Sequence, residues 1–310
     1  MKVLVTGGAG FIASHVVDQC LGQGYDVVVV DNLSTGRRSN LNAAAKFYEV
    51  DLRSPDLMAV FEKERPDFVD HHAAQVDVRR SVADPLFDVD VNVRGTINLL
   101  ECARRAEVRK FVYISTGGAV YGEPEYLPCD ENHPINPICP YGASKHTVEH
   151  YLFMYKVNYG LNYTVLRYAN VYGPRQDPHG EAGVVAIFTG RMLAGQPVVI
   201  NGDGEQLRDY VYVGDCARAN LSALAAEATG AIYNVATGRG TSVNEIFRLL
   251  KDITAYPGEA VHGPAKLGET RHIYLDVSRA KQGLGWQPQV GLEEGLRQVV
   301  AFSRAVEMAA

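Results

Sequence analysis

The sequence predicts an α/β fold, a doubly wound parallel sheet (Rossmann) with a smaller C-terminal substrate-binding lobe. Three observations carry that expectation. Six short apolar or β-branched runs alternate with helical patterns through the first half of the 310-residue chain, the rhythm of parallel strands joined by crossover helices. The turn Gly7-Gly8-Ala9-Gly10 sits between the first run and the first helical pattern. After about Asn170 the rhythm gives way to pieces punctuated by glycine and proline, such as Gly173-Pro174, Gln196-Pro197 and Asn201-Gly202-Asp203-Gly204.

In chain order, strands are expected at Lys2–Thr6, Asp26–Val30, Lys46–Val50, Phe68–His71, Lys110–Ser115 and Tyr163–Arg167. Helical periodicity covers Phe11 to Leu21, Leu86 to Arg105, Tyr141 to Tyr159 and the neighbourhood of Val184 to Leu193. The expected division is a dinucleotide-binding domain over 1–170 and a substrate lobe over 171–310, with some segments of the second returning to the first. Ligands in such sheets bind at the carboxyl ends of the strands.

Strand, glycine turn and helix stand in the order a dinucleotide site requires. Gly7 and Gly10 let the backbone turn sharply and approach a pyrophosphate, whose charge rests on the helix N-terminus. Ala13 keeps the third position small. The second strand ends in Asp31, roughly twenty residues beyond the glycines, where a carboxylate grips both hydroxyls of an adenosine ribose. Arg37 and Arg38 follow, but Asp31 would repel the extra phosphate of NADP, so NAD is the expected cofactor.

Tyr141 and Lys145 are spaced to share one helix face, an ammonium beside a phenol. At roughly 5 Å and an effective dielectric of about 20, that charge favours the phenolate by about 3 kcal/mol, or about two pKa units. A tyrosine so placed can act as a base near neutral pH.

Net charge is −6, the basic residues occur as short pairs among acids, and no apolar run approaches a membrane-spanning length. Neither a nucleic-acid partner nor a membrane is expected. The five cysteines are widely spaced without a Cys-x-x-Cys pair, and Met1-Lys2 leads straight into the first strand. A reducing cytoplasm is the expected location. His71 and His72, adjacent on a strand, point to opposite faces, so no metal site is expected.

The glycine turn, Asp31, Ser115-Thr116-Gly117-Gly118-Ala119-Val120-Tyr121-Gly122 and Tyr141-x-x-x-Lys145, in this order, resemble the extended short-chain dehydrogenase/reductase family, most of all its UDP-glucose 4-epimerase branch. Further likeness lies in Asp51-Leu52, His72-Ala73-Ala74-Gln75, Asn92-Val93-Arg94-Gly95-Thr96, Arg167-Tyr168-Ala169-Asn170 and Arg208-Asp209-Tyr210-Val211. The resemblance implies that Gly7, Gly10, Phe11, Ile12, Asp31, Asn32, Ser34, Thr35, Gly36, Asp51, Leu52, Ala73, Ala74, Gln75, Asn92, Ser115, Tyr141, Lys145 and Tyr168 hold NAD. It implies that Thr116, Gly117, Asn170, Val184, Val199, Arg208 and Lys266 hold a UDP-sugar, with Tyr141, Lys145 and Thr116 catalytic, and it implies a homodimer.

Two departures stand out. The family places a serine or threonine where this chain has Gly117, which leaves the neighbouring Thr116 to supply the hydroxyl. Lys266 stands where a second phosphate-binding arginine is common, and it keeps the charge without the planar fork. The implied chemistry is a transient oxidation at the sugar C4, rotation of the ketose and return of the hydride to its other face. Ile273 is expected to tune pocket size, and the alternatives to UDP-glucose and UDP-galactose are UDP-GlcNAc, UDP-glucuronate or a sugar nucleotide whose base is thymine. A dehydratase ranks lower, because Gly118 and Ala119 stand where that chemistry needs an acid and a base. A non-catalytic nucleotide sensor is the alternative of a different class.

Overall fold

The computed structural model describes residues 1–178, 183–265 and 270–309. β1 (Lys2–Thr6), α1 (Phe11–Gly22), β2 (Asp26–Asp31), β3 (Lys46–Glu49), α2 (Leu57–Glu64) and β4 (Phe68–His71) open the chain. They are followed by α3 (Val78–Ala83), α4 (Pro85–Val89), α5 (Gly95–Arg105), β5 (Lys110–Thr116), α6 (Pro140–Tyr159) and β6 (Tyr163–Tyr168). Then come β7 (Asn170–Tyr172), α7 (Val184–Leu193), β8 (Val199–Asn201), β9 (Leu207–Arg208), β10 (Tyr210–Tyr212), α8 (Val213–Ala225) and β11 (Ala231–Val235). The chain ends with β12 (Thr241–Ser242), α9 (Val243–Thr254), β13 (Val261–Gly263), β14 (His272–Ile273), α10 (Ser278–Leu284) and α11 (Leu292–Ala309).

Seven parallel strands form the central sheet in the order β11-β6-β5-β4-β1-β2-β3. The order reverses between β1 and β4, which opens a crevice at their carboxyl ends. Strands buried on both faces need continuous apolar runs, and Val27 to Val30 are fully buried in β2. One face packs on α1 and α8 through Val5, Val16, Val29, Ala217 and Leu224, the other on helices carrying Leu57, Phe61, Leu99 and Leu152. A third core, with Phe188, Ile246 and Leu296, belongs to the second lobe.

Two features depart from the sequence reading. β11 is a seventh strand, drawn from beyond residue 170 onto the free edge of β6, so the segment from α8 to β11 belongs to the sheet. The helix expected over Leu86 to Arg105 changes register at a π-helical turn, Asp90–Arg94. There Asn92 turns inward and its amide bridges the backbone N–H and C=O of Gln75 at 2.8 and 3.0 Å. π turns of this kind occur frequently at functional sites.

Candidate active site

The crevice is a cleft of about 1380 Å³ that runs from the glycine turn, past the ends of β4, β5 and β6, into the second lobe. At its near end Gly7 adopts φ +71°, and a β-carbon there would fall 2.8 Å from the backbone nitrogen of Ala73. Only glycine permits this approach of the β1 turn to the β4 loop. No side chain caps α1 at Gly10, so its first amide groups are left for an anion.

Asp31, at the end of β2, accepts from the Ala9 and Leu33 backbone N–H groups at 3.0 and 2.8 Å. Burial pushes its carboxyl up against the pull of those two bonds. Each oxygen keeps a lone pair for a ribose hydroxyl. Gly36 leaves room beside it, since a β-carbon there would lie 3.0 Å from Asp31 Oδ2. Arg37 is committed to Asp177 at 2.7 Å and Arg38 to Glu49. Neither guanidinium is therefore reserved for a phosphate beside Asp31.

Asn32, Ser34, Thr35, Asp51, Leu52, Ala73, Ala74 and Gln75 line the same end, with Gly10, Phe11 and Ile12. The Arg53 guanidinium, bonded to Asp51, holds that carboxyl well below the usual carboxylate range. Asn92 does not line the cleft. It stands behind the wall and braces Gln75, which the sequence pattern could not distinguish from direct contact.

At the far end Tyr141, Lys145, Ser115, Thr116 and Tyr168 line the cleft together. Tyr141 lies in the first turn of α6. That turn packs backbone to backbone on the segment after β5, because a β-carbon at Gly142 would fall 2.5 Å from the Ala119 carbonyl oxygen. Burial lowers Lys145 to about 7 against the opposing charges of Asp88 and Glu149, and its Nζ lies 4.6 Å from the centre of the Tyr113 ring. The Ser115 hydroxyl donates to Glu149 at 2.7 Å, and Glu149 also receives Arg167 Nε at 3.0 Å.

Gly117 does not reach the cleft. A β-carbon there would lie 2.3 Å from Leu275 Cδ1, so the space of a serine or threonine side chain is already taken. Thr116 and Ser115 are the hydroxyls that line the cleft at this point, and Ser115 has spent its proton on Glu149.

Across the cleft stand Asn170, Val184, Val199 and Arg208. Arg208 meets only backbone carbonyls, Leu207 at 2.9 Å and Arg271 at 3.4 Å, and no carboxylate among the described residues neutralises it. Arg191, Gln206 and Tyr210 line the same region and were not named as site residues from sequence: no spacing or motif marks Arg191 and Gln206, and Tyr210 stood in the run Arg208-Asp209-Tyr210-Val211 without a role. Lys266 lies outside the described residues. Ile273 is buried with Val120, Tyr121 and Leu275 and does not line the cleft, because β14 pairs with β9 and turns that side chain inward. His71 lies between Thr6 and Thr96 at 2.7 and 2.8 Å, and His72 faces Asp70 on the other side of the sheet.

The glycine cradle, the uncapped helix end and the buried Asp31 fit a dinucleotide, and the cleft continues from them to a tyrosine, a lysine and an unneutralised arginine. Residues 3–236 match the NAD dependent epimerase/dehydratase family. A UDP-glucose 4-epimerase of Mycolicibacterium smegmatis is 47% identical over 309 residues, which is 98% of this chain and 99% of that protein. The crystal structure of a UDP-glucose 4-epimerase of Thermotoga maritima with UDP-glucose superposes with TM-score 0.97 at 52% identity, over 99% of this chain and 100% of that one. That of Thermus thermophilus UDP-glucose 4-epimerase in complex with NAD gives 0.93 at 46%, over 98% and 99%. By this likeness in sequence and architecture, carried along nearly its whole length, the chain belongs to the NAD dependent epimerase/dehydratase family.

Proposed function

We infer that this protein is an NAD-dependent isomerase that inverts C4 of a UDP-hexose, interconverting UDP-glucose and UDP-galactose through a 4-keto sugar. The observation that carries this reading is the continuity of one cleft, from the cradle at Gly7 through Tyr141, Lys145 and Thr116 to Arg208. When bound, NAD supplies a reversible acceptor for the C4 hydride. The chain's residues supply the rest.

Tyr141 takes the proton of the sugar 4-hydroxyl and returns it after the sugar has turned over. Lys145 lies one helical turn away and favours the deprotonated phenol whenever it is charged. Thr116 Oγ1 orients the 4-hydroxyl in place of a side chain at residue 117. Arg208 anchors the diphosphate while the hexose rotates, and its fork suits phosphate. Lys266 is proposed as the second diphosphate contact. Gly118 and Ala119 offer no carboxyl group for eliminating a 6-hydroxyl, which disfavours a dehydratase.

Exposed apolar side chains on α4 and α6, among them Leu86, Val89, Phe153, Met154 and Val157, support pairing of two copies through these helices. Five cysteines without a disulfide suit a reducing cytoplasm. Among the described residues no helix is long and apolar enough to cross a membrane. Incubating the purified protein with UDP-galactose should yield UDP-glucose without added cofactor consumption. Absence of product while NAD stays bound would support a nucleotide sensor instead.

A further inference from the structure

Asp70 is a fully buried carboxylate in the middle of the sheet, flanked by Val5 of β1 and Val112 of β5. Neither of its oxygens has a hydrogen-bond donor among the described residues. His72 Nε2 lies 3.1 Å from Oδ1, and the Tyr168 phenol and the Cys20 thiol are near enough for the charge of Asp70 to act on them. A carboxylate is not placed in an apolar wall without cost, and no fold-supporting network uses it.

His72 is nearly buried too, but its ring forms part of the cleft wall and lies 6.5 Å from the Tyr168 ring, centre to centre. Nε2 lies beside Asp70 without a well-aligned hydrogen bond, and the carboxylate's charge favours the proton on that nitrogen, which leaves Nδ1 as the acceptor, with no hydrogen-bond partner among the described residues. The sheet order decides what Nδ1 meets. Asp31 at the end of β2 takes the adenosine side of a dinucleotide, and β4 lies on the other side of β1.

We propose that Asp70 positions His72 so that its Nδ1 accepts a hydrogen bond from the nicotinamide half of the bound dinucleotide, from a ribose hydroxyl or from the carboxamide. This rests on the dinucleotide reading above. Asp70 is a positioning residue, and His72 is the group in contact.

The test is direct titration of the dinucleotide-free protein with NAD, free of any turnover measurement. The double variant Asp70→Val/His72→Leu replaces both members of the pair by apolar side chains, so that neither polar group is left buried without the other. It should fold with an unfolding midpoint at or above wild type, yet bind NAD about tenfold more weakly, the scale of one lost hydrogen bond. Asp70→Asn should weaken binding when His72 is present and add nothing in the His72→Leu background. With 3-acetylpyridine adenine dinucleotide, which lacks the amide N–H, the preference for NAD should vanish in His72→Leu if the donor is the carboxamide. It should persist, with both affinities lowered, if the donor is a ribose hydroxyl. A double variant that binds NAD within twofold of wild type would overturn the proposal alone. Wild-type protein that binds no dinucleotide would overturn the underlying reading with it.

Discussion

The side chain of Leu275 occupies the space that a β-carbon on Gly117 would need, at 2.3 Å from where it would stand. Leu275 is buried among Val120, Tyr121, Cys129 and Ile273, so moving its side chain aside would disturb a packed cluster. Restoring the hydroxyl by Gly117→Ser is therefore expected to destabilise the fold by about 1–3 kcal/mol and to lower turnover. Urea unfolding checks the first, and Gly117→Ser/Leu275→Ala should recover part of the stability. A serine variant as stable as wild type would show that the segment after β5 adapts.

If Thr116 orients the 4-hydroxyl and Tyr141 moves its proton, the two lesions separate. Tyr141→Phe should leave binding of NAD and UDP nearly unchanged and reduce kcat by a factor on the order of a hundred or more. Thr116→Val, which keeps the shape, should cost about tenfold or more in kcat with an unchanged unfolding midpoint. Steady-state kinetics beside calorimetric titration with UDP reads both.

Glu149 links Ser115 in the cleft wall to Arg167 in the sheet. Burial would push its carboxyl up, but hydrogen bonds from His146, Arg167 and Ser115, with the guanidinium charge, hold it at about 2 against an ordinary 4.5. The folded chain therefore gives up this proton more readily than the unfolded one, so the stabilisation is complete above about pH 4.5 and disappears as pH falls through about 2. Glu149→Gln leaves Arg167 buried without its charge partner and should cost about 3–5 kcal/mol at neutral pH. Unfolding midpoints followed from pH 7 to pH 3 should decline less steeply in the variant.

The Arg37–Asp177 ion pair, 2.7 Å long, ties the loop after β2 to the second lobe across the cleft mouth. Both side chains are well exposed, so the contact is weak. Arg37→Ala should speed release of NAD by about two- to fivefold at low salt. High salt should erase the difference, because screening removes the pair from the wild type as well. Stopped-flow displacement of bound NAD measures it.

Strands β1 and β4 have the bounds that their apolar runs predict, and β2, β3, β5 and β6 differ by one residue at the carboxyl end. α7 is likewise where its periodicity puts it. These features are local, since each depends on a repeat or a steric demand within a few residues. The pairing of Tyr141 with Lys145 is legible for the same reason, because the helical period alone puts them on one face. β11 was not legible: Ala-Ile-Tyr-Asn-Val is a short run whose strand identity comes from the free edge of β6, far back in the chain.

The sequence by itself determined the parallel sheet, the glycine cradle with Asp31 and the tyrosine–lysine helix face, since backbone period, turn sterics and side-chain chemistry act over short distances. Tertiary structure decided that Leu275 leaves no room at residue 117, that Asn92 braces the wall from behind and that Ile273 faces the core. Those outcomes depend on which distant segments compete for the same volume, and packing alone settles that competition.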